Sequence, residues 1–301
     1  MPSIDIALAS DSRCVLGTAV SVRSITESCS PGWALRFHVA AHRVSLRDRS
    51  ALEETVLSTG RDAQMTFGSF DPGRVRHLTR SKLINHMAYA TLFLPELVPP
   101  DVSRCLWLDS DLVFERDVSE LWQTSLEGCT MGAVADGNPE LMARYQRRLG
   151  MATPLYFNSG VLLADLDRWR KRDVTARALE AAERLGDDLI LHDQDALNVA
   201  LEGDWLPLAP HWNVWVICPE LTADASAVFH YMGAPKPWHA DYDRPFLAHF
   251  HRYLDRTPFA GRRPWNPAGM GAVVTRFHRR IPSLAGTMRV LRSTLRRKAR
   301  P

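Results

Sequence analysis

Two aspartates interrupt an apolar run, Cys105-Leu106-Trp107-Leu108-Asp109-Ser110-Asp111-Leu112-Val113-Phe114. A run this short, bounded by polar segments, reads as one buried strand. Carboxylates in such a place are costly unless something positive compensates them. In extended chain, residues i and i+2 point the same way, so Asp109 and Asp111 would converge on one cation. Hard carboxylate oxygens suit Mg²⁺ or Mn²⁺. The alternative for this stretch alone is a strand end whose acids cap turns or pair with arginines. The rest of the chain bears on the choice.

Ile4 to Ala9 reads as a first strand ending at Ser10-Asp11-Ser12, Thr18 to Ser28 as a helix, and Ala34 to Val39 as a second strand. Ser45 to Leu57 reads as a helix capped by Ser45. Alternation at this spacing predicts an α/β domain with a largely parallel sheet, whose ligands sit beyond the carboxyl ends of the strands. Asp11 stands at such an end. Phe67 to Thr79 reads as a loop, and Ser81 to Leu94 as a helix stopped by Pro95. Val118 to Trp122 and Val174 to Leu185 read as helices, and Thr130 to Ala135 as a strand. His192-Asp193-Gln194-Asp195 opens a further helix, where acids also favour the helix dipole.

At 301 residues and 46% hydrophobic, the chain can bury the core of one large domain. No basic N-terminal region precedes an apolar run, and no stretch approaches the ~20 apolar residues of a membrane helix. A cytoplasmic protein is therefore expected. The five cysteines are scattered, with no Cys-x-x-Cys, which predicts free thiols rather than a disulfide framework or a zinc site. The net charge of +3 conceals nine Lys/Arg and no acid from Arg276 onward, over a body of about −6. In this segment Ile281, Leu284, Met288, Val290, Leu291 and Leu295 interleave with the arginines, as in a helix lying on an anionic membrane. No nucleic-acid motif accompanies it, so no nucleic-acid partner is expected.

Five stretches, in this order, resemble glycosyltransferase family 8, the retaining enzymes that include bacterial lipopolysaccharide galactosyltransferases and glycogenin. They are Leu8-Ala9-Ser10-Asp11, Leu106-Trp107-Leu108-Asp109-Ser110-Asp111, Tyr156-Phe157-Asn158-Ser159-Gly160-Val161, His192-Asp193-Gln194-Asp195-x-x-Asn198, and His230-x-x-Gly233-x-x-Lys236-Pro237-Trp238. The last is the most specific, and the match spans roughly residues 4 to 240.

The resemblance implies a single GT-A nucleotide-sugar-binding domain over residues 1–255, with a mixed, mostly parallel sheet and helices on both faces. A basic C-terminal helical extension would occupy residues 256–301. It implies a UDP-sugar donor, a divalent metal (Mn²⁺, with Mg²⁺ as second choice) held by Asp109, Asp111 and His230, and a saccharide, lipid-linked or small-molecule acceptor. Donor-binding positions would be Ala9, Asp11, Asp109, Asp136, Asn158, Asp193, Gly233 and Lys236, with Asp11 on the uracil and Lys236 on the leaving phosphate. Asp193 and Gln194 would be catalytic, with Gln194 facing the anomeric carbon. Glutamine is a poor nucleophile, so a front-face route is expected over a covalent intermediate.

Two departures stand out. Tyr89-Ala90-Thr91-Leu92 has Thr91 where relatives carry arginine, with Arg80 or Lys82 as candidate replacements. Arg13-Cys14 stands where relatives often carry an aromatic. Two rival functions follow: a non-catalytic sugar-nucleotide-binding protein, and a haloacid-dehalogenase-like phosphatase using Leu108-Asp109-Ser110-Asp111-Leu112-Val113.

Overall fold

The computed structural model describes residues 1–79, 86–136, 139–153, 155–217 and 226–262. Its strands are β1 (Ser3–Asp11), β2 (Ala34–His42), β3 (Ala63–Ser69), β4 (Arg104–Leu108), β5 (Leu112–Phe114), β6 (Met131–Ala135), β7 (Phe157–Asp165), β8 (Trp205–Pro207), β9 (Val214–Trp215) and β10 (Val228–His230). Its α-helices are α1 (Val15–Ser28), α2 (Leu46–Leu57), α3 (Val118–Trp122), α4 (Pro139–Leu149), α5 (Leu166–Lys171), α6 (Val174–Leu185), α7 (Asp193–Ala200) and α8 (Leu247–Leu254).

Seven strands form one sheet in the order β3-β2-β1-β4-β7-β6-β8. The block β3-β2-β1-β4 is parallel, and β7 runs antiparallel to both its neighbours. The strand order reverses at β1/β4, where an open α/β sheet presents its crevice. Asp11 ends β1 at this point, and Asp109 follows β4. Side-chain alternation divides the core in two. Ile4, Ile6 and Leu8 pack with Val22 and Ile25 of α1 and Leu52 and Val56 of α2. Ala7, Cys105 and Trp107 pack on the other face with Ala178 of α6 and Leu197 of α7. The mixed sheet with helices on both faces is as expected.

The central run is not one strand. The main chain leaves the seven-stranded sheet at Asp109 and re-enters structure as β5, in a second sheet of order β5-β10-β9. The open edge of β5 is satisfied by α1. Ser21 Oγ accepts from Leu112 N (3.1 Å) and donates to Leu112 O (2.8 Å), and Ser24 Oγ accepts from Phe114 N (3.0 Å). Two serines on one helix face thus supply partners that a missing strand would otherwise provide.

Other expectations shift by a few residues for local reasons. Ser45 does cap α2, accepting from Asp48 N at 3.1 Å. The expected loop from Phe67 begins as the last residues of β3 and then contains a 3-10 turn, Pro72–Val75. The expected helix from Ser81 starts outside the described residues. Its described part is a 3-10 run, Ala88–Glu96, that passes through Pro95 with a kink at Phe93. Proline lacks an N–H and disfavours α geometry in the residue before it, so the chain tightens instead of stopping. Tyr89 through Leu94 are buried on every side. The four described cysteines, Cys14, Cys29, Cys105 and Cys129, are free thiols. No described helix is long and apolar enough to cross a membrane. The basic segment from Arg276 lies outside the described residues.

After β10 the chain carries Trp238, only 3% exposed, against α1 and Phe250 of α8. Further on, Phe259 is fully buried and Arg262 binds Asp48 of α2 at 2.5 Å. The docking of Trp238 depends on Gly17 of α1. A Cβ there would lie 2.4 Å from the Ser110 carbonyl and 2.6 Å from the Trp238 ring. Gly17→Ala is therefore expected to destabilise the fold by about 1–3 kcal/mol, the usual range for overpacking. Chemical denaturation would read this directly, and unchanged stability would show that the Trp238 contact is not tight.

Candidate active site

The residues between the two sheets are held by the backbone. Asp109 N donates to Gly160 O of β7, and Tyr231 N donates to Asp111 O, both at 2.9 Å. This turn, rather than an extended i, i+2 alternation, brings the two carboxylates together. His230 ends β10 and reaches both: its Nε2 is 3.6 Å from Asp109 Oδ2 and 3.3 Å from Asp111 Oδ1. One carboxylate oxygen from each aspartate and one imidazole nitrogen all lie within 4.8 Å of one another. Gly160 makes room for the ring, since a Cβ there would sit 2.3 Å from His230 Cε1.

Charge at this point is strongly biased. Lys236 Nζ donates to the other oxygen of Asp111 and, at 3.1 Å, to the Tyr231 carbonyl. Burial acts to raise the Asp111 carboxyl, but the Lys236 ammonium and the His230 ring outweigh it and hold it well below the usual carboxylate range. Burial, then the negative charge of Asp111, pushes Asp109 up to about 6. Its side chain is 39% exposed, whereas that of Asp111 is 8% exposed. Two carboxylates and an imidazole, already attracting an ammonium, are a donor set that fits a divalent cation with oxygen-rich remaining coordination.

Beside this triad runs a line of amides. Gln194 Oε1 accepts from Ser159 N and from Asn158 Nδ2, both at 3.1 Å, while its Nε2 donates to Asp136 Oδ2 at 3.0 Å. The carbonyl expected to face the anomeric carbon thus already accepts two hydrogen bonds within the protein. Asp193 is buried and its Oδ2 accepts from Ser159 Oγ at 3.2 Å. Burial, followed by the nearby Asp109, raises its carboxyl well above the normal range. Asp195 anchors the start of α7: its Oδ2 accepts from Ile190 N (2.6 Å) and Leu191 N (2.7 Å), and Tyr156 donates to its Oδ1. Asn198 holds β7 through Phe157, accepting from its N–H at 2.8 Å and donating to its carbonyl at 2.9 Å.

The remaining expected positions lie on strand ends and turns. Ala9 is half-buried near the end of β1. Asp11 carries a clamp from its own turn, accepting from Arg13 N (2.8 Å), the Arg13 guanidinium (2.8 Å) and Cys14 N (3.2 Å). Burial opposes the ionised form of Asp11, and Arg13 more than offsets it. Burial pushes the Cys14 thiol up to about 12, with the charge of Asp11 adding to the shift and that of Lys236 opposing it. Gly233 has φ of +74°, a conformation that favours glycine. Thr91 is fully buried, and its Oγ1 has no hydrogen-bond partner among the described residues. Arg80 and Lys82 lie outside the described residues.

Two residues with roles here carried no signal in the sequence. Asn213, just before β9, bridges Asn158 and His230. Arg244 clamps the loop at Gly233, donating to Met232 O at 2.9 Å and to Ala234 O. The phosphatase rival is excluded by topology, because a parallel three-strand block precedes β4 and His230 and Lys236 close on its aspartates.

The family model of glycosyl transferase family 8 matches residues 5–242. The chain is 29% identical to general stress protein A of Bacillus subtilis (strain 168), over 75% of this chain and 82% of that protein. It is 26% identical to lipopolysaccharide 1,2-glucosyltransferase of Escherichia coli (strain K12), over 87% and 80% respectively. It is also 30% identical to probable galacturonosyltransferase-like 3 of Arabidopsis thaliana, over 78% and 74%. Among solved structures, galactosyltransferase LgtC in complex with donor and acceptor sugar analogues superposes with a TM-score of 0.75 at 26% identity, covering 85% of this chain and 96% of that one.

The raised carboxyl of Asp193 has a consequence for stability. The folded state keeps a proton that the unfolded chain releases, so stability falls as pH rises from the ordinary carboxylate range through the raised native value. Asp193→Asn removes this cost while keeping an acceptor for Ser159. The variant is expected to unfold at a higher temperature than the unaltered protein near pH 7.5, with the gain shrinking toward pH 4. A gain independent of pH would contradict the assignment.

Proposed function

The chain belongs to glycosyltransferase family 8, and from that premise we propose that it is a metal-dependent, retaining hexosyltransferase that uses UDP-galactose or UDP-glucose. The observation that carries this reading is the convergence of Asp109, Asp111 and His230 at the carboxyl ends of the central strands. Those three residues would hold the divalent ion, with Mn²⁺ suited better than Mg²⁺ by the mixed carboxylate and imidazole donors. When bound, such an ion offsets the negative charge that builds on a departing diphosphate.

The other residues divide the remaining work. Lys236 would place its ammonium on the leaving phosphate, a point charge held in the cleft by Asp111 and the Tyr231 carbonyl. Gly233 would allow the backbone to approach the diphosphate closely. Ala9 and Asp11 would lie against the uracil, with Arg13 setting the orientation of Asp11. Asp136, Asn158 and Asp193 would recognise sugar hydroxyls. The upward shift of the buried Asp193 carboxyl favours its protonated form, which would donate as well as accept and so sharpen discrimination between hydroxyl patterns. Gln194, pinned by Ser159 and Asn158, would supply a preoriented dipole beside the anomeric carbon.

The bond from the anomeric carbon to the phosphate oxygen breaks as the acceptor hydroxyl oxygen bonds to that carbon on the same face. The hydroxyl proton passes to the leaving phosphate oxygen. The acceptor would be a glycan, a lipid-linked sugar or another hydroxyl compound. The test is UDP release with Mn²⁺ across a panel of UDP-sugars, with the anomer of the product identified. EDTA should abolish turnover and Mn²⁺ restore it, and Asp109→Asn should lower kcat by about 10²–10³-fold, as for loss of one electrostatic stabiliser. UDP binding without release for any donor would favour the non-catalytic reading, which the buried Thr91 motivates.

The basic segment after Arg276 supports a peripheral position on an anionic membrane face, which would bring the enzyme to a lipid-linked acceptor. Vesicles containing anionic lipid should float with the full chain. They should not carry a version ending at residue 275, which should keep its UDP release on a soluble acceptor. Equal flotation of both would remove the membrane role.

A further inference from the structure

We infer that Asn213 is a positioning residue that decides which nitrogen of His230 bears the proton, and hence which one faces a metal ion. The inference deepens the metal-dependent reading above and rests on it. Two backbone N–H groups fix the direction of every amide involved. Gly160 N donates to one end of the Asn158 amide at 2.9 Å, so that end is oxygen. The Asn213 atom lying 2.7 Å from this oxygen must then be its NH₂. Its carbonyl oxygen is left 2.9 Å from His230 Nδ1. A carbonyl can only accept. A neutral ring, the form that ligates a metal ion, therefore keeps its single proton on Nδ1 and leaves the lone pair of Nε2 for an ion held beside Asp109 and Asp111.

Ser159 N fixes Gln194 in the same manner, so its NH₂ faces Asp136. The result is a one-way hydrogen-bond chain: His230 to Asn213 to Asn158 to Gln194, then from Gln194 to Asp136. Bulk water does not reach the link, because Asn213 is 4% exposed and His230 3%. Nor can the ring turn away freely, because it packs on the backbone of Gly160.

The test compares metal affinity in the unaltered full chain, Asn213→Leu and Asn213→Asp, following free Mn²⁺ by electron paramagnetic resonance. Leucine fills the volume without an acceptor, whereas aspartate keeps an acceptor toward Nδ1. Asn213→Leu is expected to bind Mn²⁺ about 10–100-fold more weakly, the range for loss of a group that orients a ligating histidine. Asn213→Asp, which keeps the acceptor toward Nδ1 but sets its second oxygen against Asn158 Oδ1, should recover part of that loss. Equal affinity in Asn213→Leu and the unaltered protein overturns the inference.

A second measurement needs no variant. With Zn²⁺ as a diamagnetic probe, ¹⁵N spectra of the unaltered chain should show His230 protonated at Nδ1 and metallated at Nε2. Metal on Nδ1 would refute the assignment whether or not the variants fold. Failure of the unaltered protein to bind either ion is a separate result, which removes the metal-dependent reading and this inference together.

Discussion

Two like charges held in one place impose most of the structure around them. Carboxylates a few ångströms apart repel by about 4 kcal/mol at the effective dielectric typical of a protein surface. Here the repulsion is met by one ammonium, Lys236, and one imidazole, His230, both contributed from more than a hundred residues later in the chain. The segment that carries them must be docked for the turn at Asp109 to persist. It is docked by Trp238, and Trp238 reaches α1 only because residue 17 lacks a side chain. The chain of dependence thus runs from electrostatics at the cleft to packing on the far side of the turn.

The same logic explains why the second, smaller sheet exists. The order β5-β10-β9 places His230 opposite Leu112 on one side and Trp215 on the other. This fixes the ring's approach to Asp111 more tightly than a loop would. The cost is an open edge on β5, which Ser21 and Ser24 cover from α1. Helix α1 therefore serves the cleft twice, once by closing a strand edge and once by admitting Trp238. Neither contribution comes from a residue that could ligate the ion.

Much of this was legible in the sequence, and the failures have identifiable causes. Asp109, Asp111, His230 and Lys236 are unusual residue types in apolar or proline-bounded settings, and the structure brings them together. Extended alternation accounts for this only in part, since the convergence arises at a turn between sheets rather than in an unbroken strand. The 3-10 run through Pro95 was read as a stopped helix because proline ends an α-helix but is tolerated in tighter turns. Asn213 could not be found: it is one asparagine beside a two-residue strand, and its importance comes from partners 55 and 17 residues away. Gln194 was singled out by its place in the sequence, but its pairing with Ser159 N and Asp136 depends on the packing of α7 against β7, which periodicity does not encode.

That the support around the triad is built from amides has a physical reason. A carboxylate behind His230 would orient the ring equally well, but it would add a third negative charge to a place already strained by two. Primary amides carry no net charge, and each offers a donor at one end and an acceptor at the other. Three in series transmit an orientation over the distance from β7 to β10 without adding repulsion. Their direction is not free, because the backbone N–H groups of Ser159 and Gly160 each demand an oxygen. Reversing any one amide would set oxygen against oxygen or leave a buried donor unpaired, at about 1–3 kcal/mol for each group left unsatisfied. The stretch Asn158-Ser159-Gly160 therefore does three things in three residues. It contributes one amide of the series, supplies the two backbone donors that give the series its direction, and leaves the space into which the imidazole fits.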